Sequence, residues 1–277
     1  MAFLSGAILT STLLFLVAFS LPNVYAAGKS NNKYNKKGEL RHHRPIFKPT
    51  GWKKALATFY DGDTKTFGGA CGYDDVVKDG YGLDTTALSS VLFKDGQTCG
   101  ACYEIKCVNS RAGCKTGKSS IFVTGTNLCP PNYDIPGDNG GWCNPPREHF
   151  DLAKPAYLKI AEYKAGIVPI NYRRVPCKKK GGIRFTITGN PYFNLVSVWN
   201  VGGAGDITQV QLKGNNKIKH WTNLKRNWGQ KWETDVMLVG EALSFRVRSS
   251  DLRYSTSRWI APSNWKFGQT FVGKNFV

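Results

Sequence analysis

Short runs in which apolar and polar positions alternate carry most of this chain. Tyr103, Ile105 and Cys107 alternate with Glu104 and Lys106, and Ile121 and Val123 flank Phe122, the period-two pattern of half-buried strands. The segment 55–75 opens as a short aromatic strand, turns at Asp61-Gly62-Asp63 and turns again at Gly68-Gly69. Gly-rich corners then separate segments 81–92, 99–108 and 120–124. Such strands and corners predict a small barrel, with residues 167–177 as its last strand. After Cys177 the pattern is purely β, with runs at 183–188, 195–201, 207–212, 236–239, 243–247 and 258–260 between turn residues. It predicts a β-sandwich.

One segment departs from the alternation. Residues 151–166, DLAKPAYLKIAEYKAG, place Ala156, Ile160 and Ala161 at helical spacing with Pro155 near the start and Gly166 at the end, which predicts a helix. The preceding GWCNPPREHFD, Gly141 to Asp151, is too Pro-rich to be helical. It sets Trp142, Cys143, His149 and Asp151 on a stiffened loop, the kind of segment that furnishes binding grooves. His149-Phe150-Asp151 would then sit where that loop enters the helix.

The amino terminus adds a route. Ala2 to Ser20 carry no charge, the apolar run centres on Leu13 to Phe19, and Val24-Tyr25-Ala26 presents small residues where a signal peptidase cuts. Residues 1–26 read as a secretory signal, an uncleaved anchor being the other reading. The stretch 27–51 reads as a basic leader, too polar to fold alone: nine Lys or Arg and one Glu lie between Gly28 and Lys54. Domains follow at 52–179 and 180–277, divided by the basic link Lys178 to Gly182.

The eight cysteines, Cys71, Cys99, Cys102, Cys107, Cys114, Cys129, Cys143 and Cys177, all precede the predicted sandwich. Behind a signal they read as disulfides. Cys99-Gly100-Ala101-Cys102 with Cys107 resembles a zinc knuckle, but no His stands at a ligand position, so no metal and no cofactor is expected. A formal charge of +19 favours polyanions, which outside the cell means acidic polysaccharide rather than nucleic acid.

Six motifs recur in order: GGACGY at 68–73, CGACYEIKC at 99–107, HFD at 149–151, RRVPC at 173–177, GGIRFTI at 181–187 and NWGQKW at 227–232. Together they resemble the plant expansins, and the GGWCNPP insertion resembles the alpha class. The resemblance implies an all-β chain: a six-stranded double-psi β-barrel related to family-45 endoglucanases, followed by an immunoglobulin-like β-sandwich that binds cellulose. It implies pairing of Cys71 with Cys99, Cys102 with Cys177, Cys107 with Cys114 and Cys129 with Cys143. It also implies a secreted, monomeric protein of the plant cell wall, peripheral to wall or membrane surfaces, that acts on cellulose and hemicellulose. Acidic pectin is a partner read from the charge instead, the basic leader being either a solvated tail or an electrostatic tether to such polymers.

By the same resemblance Asp151 stands where related endoglucanases keep their general acid, with Thr58 and Tyr60 lining the groove beside it and His149 nearby. Hydrolysis by inversion needs a second carboxylate roughly 6.5–9.5 Å away. Where some relatives carry an Asp after Val-Thr, this chain has Gly125. A nonhydrolytic, wall-loosening protein is therefore expected. Two departures matter: Leu56 replaces the usual His, and Asp61 the usual Gly after ATFY. Asp61 or Asp63 as a restored base would make a divergent endo-β-glucanase; as turn residues they bond backbone amides. A groove inactivated by these changes would leave a cellulose-binding protein. Asp151 itself has a second reading, as a helix cap.

In the sandwich, flat aromatic faces suit sugar C–H groups. Tyr192 and Trp228 match the family's surface platform, with Trp232 as neighbour and Trp142 as a further polysaccharide contact. Phe193 and Trp199 read as core. Lys225, Arg226 and Lys231 flank the platform.

Overall fold

The computed structural model describes residues 46–61, 69–117 and 120–276. The signal segment, nearly all of the basic leader, Asp63 and Gly68 lie outside these. Six strands close a barrel: β1 (Lys53–Tyr60), β2 (Thr85–Ser89), β3 (Cys102–Cys107), β4 (Ile121–Cys129), β5 (His149–Ala153) and β6 (Val168–Val175), in the spatial order β1-β5-β2-β4-β3-β6. β1 pairs parallel with β5 and β2 parallel with β4, while the remaining pairs are antiparallel. This is a double-psi barrel. Parallel neighbours place the same end of two strands side by side, and the candidate site is built on that relationship.

Alternation fills the barrel interior. Tyr103, Phe150 and Tyr172, from β3, β5 and β6, meet as a ring cluster with centroids 4.7–6.2 Å apart. Four disulfides staple it: Cys71–Cys99, Cys102–Cys177, Cys107–Cys114 and Cys129–Cys143, the pairing that the resemblance implies. All eight thiols are consumed, which excludes the zinc knuckle.

The helix expected over 151–166 is a correction. Residues 149–153 are strand, paired with both β1 and β2, and only Lys154–Tyr157 and Tyr163–Ala165 make single helical turns. The apolar spacing has another cause: Ala156, Ile160 and Ala161 are buried as the chain wraps the barrel, and Ala161 bridges to Cys114. Pro155 starts the turn, whose cap is Ala153 without a side-chain bond. Asp151 is not a helix cap.

The sandwich has a five-stranded sheet, ordered β11-β12-β8-β7-β15, and a four-stranded sheet, ordered β10-β9-β13-β14. Its strands are β7 (Arg184–Asn190), β8 (Phe193–Trp199), β9 (Ile207–Gly214), β10 (Thr222–Asn223), β11 (Lys225–Trp228), β12 (Lys231–Thr234), β13 (Leu243–Ser249), β14 (Tyr254–Ala261) and β15 (Thr270–Val272). Phe185 of β7 stacks on Phe245 of β13 at 4.6 Å and joins the two inner faces. The run 236–239 is loop rather than strand; its Leu238 alone is fully buried.

The link between barrel and sandwich is tied down rather than loose. Asn200 Nδ2 donates to the carbonyls of Lys180 and Gly182, and the backbone N–H of Asn200 donates to the Tyr81 hydroxyl. Gln230 donates through its N–H to Cys71 O and through Nε2 to Cys99 O. Arg174 pairs with Asp206 at 2.9 Å, both largely buried, so the last barrel strand is clamped to the sandwich.

Candidate polysaccharide groove and aromatic face

The register of β1 on β5 sets Thr58 opposite Asp151 and Leu56 opposite His149. Side chains two apart on a strand share a face, so these groups converge. Thr58 Oγ1 donates to Asp151 Oδ1 at 2.7 Å and lies 2.8 Å from His149 Nε2. A hydroxyl has one hydrogen, so the histidine must carry its proton on Nε2 and donate to Thr58. The order is therefore His149 to Thr58 to Asp151, and it leaves Nδ1 of His149 buried without a partner.

Burial decides the titration of both ends. It lifts the Asp151 carboxyl above the ordinary carboxylate range, while the Thr58 hydrogen bond pulls it part of the way back. Burial, reinforced by the Arg147 guanidinium, lowers His149 to about 4, so the imidazole is neutral across mildly acidic pH. Burial raises the phenol of Tyr60, two residues beyond Thr58, the neighbouring Thr85 side chain lowers it, and the nearby Asp151 raises it.

Thr58 and Asp151 open into a cleft of about 540 Å³, walled by Trp142 and the Cys129–Cys143 loop on one side and by Ala165 to Ile167 on the other. Asn144 holds that loop: its Oδ1 accepts from Asn132 N–H and its Nδ2 donates to the carbonyls of Asn132 and Ile135. Gly141 is required there, because a Cβ would stand 2.4 Å from Asn144 Nδ2 and 2.6 Å from Ile135 O. Arg147 lies over the Trp142 ring at 5.6 Å.

Among the described residues Asp151 is the one carboxylate lining the cleft. Asp61 is exposed and paired with Lys154 at 2.9 Å. His149, expected in the groove, is fully buried behind Thr58; it orients that hydroxyl and does not line the cleft. At Gly125, a Cβ would meet Leu88 Cδ1 at 2.8 Å, inside the barrel core. A carboxylate there would point away from solvent.

On the five-stranded sheet, Tyr192 is 77% exposed, Trp228 43% and Phe193 42%. Phe193 therefore belongs to the surface, not to the core as its hydrophobicity suggested. Trp232 is the reverse correction: at 3% exposure it is a core residue. The β11–β12 turn explains this, because Trp228 pairs with Lys231 and strand parity then turns the next ring inward. Trp199 is half-buried against the barrel cluster, with its Nε1 donating to Thr186 Oγ1. The flanking cations are mostly occupied: Arg226 lies over Trp232 and bonds Ile207 O and Gly229 O, Lys231 pairs with Asp74, and Lys225 with Glu233. Lys231 is cross-strand to Ser197, so the Trp228 row and Phe193 are separated by four positions of β8, about 14 Å.

The sequence family described as Expansin C-terminal domain matches residues 183–262, and that described as Lytic transglycolase matches residues 85–172. Expansin-A32 of Oryza sativa subsp. japonica is 61% identical over 228 residues, 81% of this chain and 84% of that protein. The chain belongs to the A-class expansins. Two further members, Expansin-A22 and Expansin-A23 of Arabidopsis thaliana, are 53% and 51% identical, each over 81% of this chain and covering 79% and 80% of their own length. This expansin also shares its fold with a crystal structure of the apo expansin of Clavibacter michiganensis: TM-score 0.61 at 19% identity, over 81% of this chain and 97% of that one. A point mutant of the same bacterial protein, crystallised in complex with cellohexaose, gives TM-score 0.60 at 18% identity, over 80% and 96% of the two chains. As an A-class expansin, the chain falls among the proteins that loosen plant cell walls.

Proposed function

We propose that this expansin loosens the wall without hydrolysis, by competing for the hydrogen bonds between cellulose and matrix glucans. The supporting observation is the single carboxylate in the cleft, Asp151, whose Oδ1 is taken by Thr58 and whose second oxygen has no partner among the described residues. One carboxylic acid can donate to a glucan oxygen, but cleavage also needs a group to activate water. Since burial raises Asp151, acidic surroundings load it with the proton it would donate. Asp61, engaged with Lys154, is poorly disposed to act as base.

In this reading a glucan chain enters the cleft against Trp142, Thr58 and Asp151, with Tyr60 behind, while Tyr192, Phe193 and Trp228 hold cellulose. A related bacterial expansin has been crystallised with cellohexaose, which fits a glucan ligand for this fold. Hemicellulose is the second glucan, and residues 1–26 direct the protein out of the cell. It acts as a monomer on the wall.

The test is creep of heat-inactivated wall strips under constant load in acidic buffer, with the bath assayed for reducing ends. Extension without new reducing ends is expected. Extension accompanied by reducing ends would replace this reading with an endo-β-glucanase, and binding without extension would leave a wall adhesin.

A further inference from the structure

The four-stranded sheet turns a second face to solvent, opposite in the sandwich to the aromatic one. Its strands β9, β10, β13 and β14 contain no Asp or Glu. They carry Lys213, Arg246, Arg248 and Arg258, and none of these four forms an ion pair among the described residues. The cations of the five-stranded sheet, by contrast, are largely paired or buried. Among the described residues, Lys53, Arg173, Arg174, Lys225 and Lys231 on other strands are ion-paired while Lys54, Lys106 and Arg184 are not, so what sets this face apart is four cations on one sheet that carries no acid.

The register shows an ordered surface. Arg246 sits between Gln211 and Thr256, and Arg248 between Gln209 and Tyr254, while Val247 between them faces the core. The two guanidinium-bearing positions are therefore about 7 Å apart along one strand. Arg246 lies over the Trp221 ring at 4.2 Å and Arg248 over Tyr254 at 5.6 Å, which limits their rotamers before any ligand arrives. Arg248 Nε is buried and has no hydrogen-bond partner. Beside them Gln209 and Gln211 both donate to Asn223 Oδ1, at 2.7 and 2.9 Å, which fixes a polar layer next to the arginines.

We propose that this face binds an acidic polysaccharide of the polyuronate type. Each sugar of such a chain offers what the face lacks: a carboxylate for a guanidinium fork, ring hydroxyls for the amides, and C–H faces for the rings. The two faces of the sandwich would then hold different polymers, a neutral glucan on one and a polyuronate on the other. The site is separate from the cleft and from the aromatic face, so it stands whether or not the loosening mechanism holds.

The test is retention of the purified protein on immobilised polygalacturonate at low ionic strength, with cellulose binding measured in parallel. R246Q/R248Q should weaken retention at least roughly tenfold while cellulose binding stays unchanged. The charge-matched K54Q/K178Q, on exposed barrel and link positions, should lose far less. R246K/R248K keeps the charge without the fork and should fall between; it carries the comparison if the glutamine variant melts early. Highly methyl-esterified pectin should compete poorly. Equal losses in the two glutamine variants would reduce the effect to net charge and overturn the proposal. So would DNA competing as well as polygalacturonate, which would make the face a general polyanion surface.

Discussion

The hydroxyl of Thr58 stands 2.7 Å from Oδ1 of Asp151, a contact between residues 93 positions apart that the parallel register of β1 on β5 creates. It ties the titration of the acid to a neutral neighbour. Asp151→Ala should abolish wall extension in the creep assay while leaving cellulose binding intact, because it removes the donor, whereas Asp151→Asn keeps an amide donor and should lose the acid dependence of extension. Thr58→Val removes the one bond that lowers the Asp151 carboxyl. The acid would then stay protonated to higher pH, and residual extension activity should persist further toward neutrality than in the parent protein. A pH profile displaced toward acid would contradict this role.

The same chain of bonds makes stability depend on pH in the opposite sense. An unfolded histidine titrates near 6.5 and His149 in the folded protein at about 4. Between those values the unfolded chain binds more protons, so stability falls as pH falls, by about 3 kcal/mol over the whole window. His149→Gln keeps a donor for Thr58 and has no charge to acquire. Its melting temperature should decline less than the parent's between pH 7 and 4.5. Parallel melting curves would show that His149 titrates in the folded protein as it does in the unfolded chain.

Two tryptophans four residues apart should respond differently. Trp228→Ala and Tyr192→Ala remove exposed rings and should weaken cellulose binding with little change in melting temperature. Trp232→Ala empties a core site and should cost about 3–5 kcal/mol of stability. Denaturation midpoints beside binding isotherms separate the two effects. Loss of binding in a Trp232→Ala protein of unchanged stability would return that ring to the surface role its motif suggested.

Strand alternation was legible where a strand buries one face, as in Arg184-Phe185-Thr186-Ile187, and the two β bodies follow from it, whereas Glu104, which alternation placed outside, is buried against Arg173. The disulfide pairing was legible through family resemblance. What misled was local. Ala156, Ile160 and Ala161 have helical spacing because a turn packs on the barrel, and nothing in residues 151–166 reveals that Asp151 pairs with Thr58 and Ala87 across two strands. NWGQKW names two tryptophans but not their faces, which the Trp228–Lys231 pairing decides. The free cations of β13 were not legible either, because a run of RVR looks the same whether its partners are acids or amides.

Gly125 tests whether the missing carboxylate is a vacancy that substitution would fill. A Cβ at this position would stand 2.8 Å from Leu88 Cδ1, and Leu88 is fully buried in the barrel core. The Gly125 backbone is also engaged, its carbonyl accepting from Gly100 N–H and its own N–H donating to Ala101 O, so the chain cannot easily retreat. Gly125→Ala isolates the steric part and should cost about 1–3 kcal/mol. Gly125→Asp adds a carboxylate with no partner and should cost about 2–4 kcal/mol, partly relieved at low pH where the acid is neutral. Neither variant should release reducing ends from β-glucan, since the new group faces Leu88 rather than the cleft of Asp151. Hydrolysis appearing in Gly125→Asp would mean that the barrel opens to carry this side chain toward the substrate, and that the absence of a base is one substitution deep.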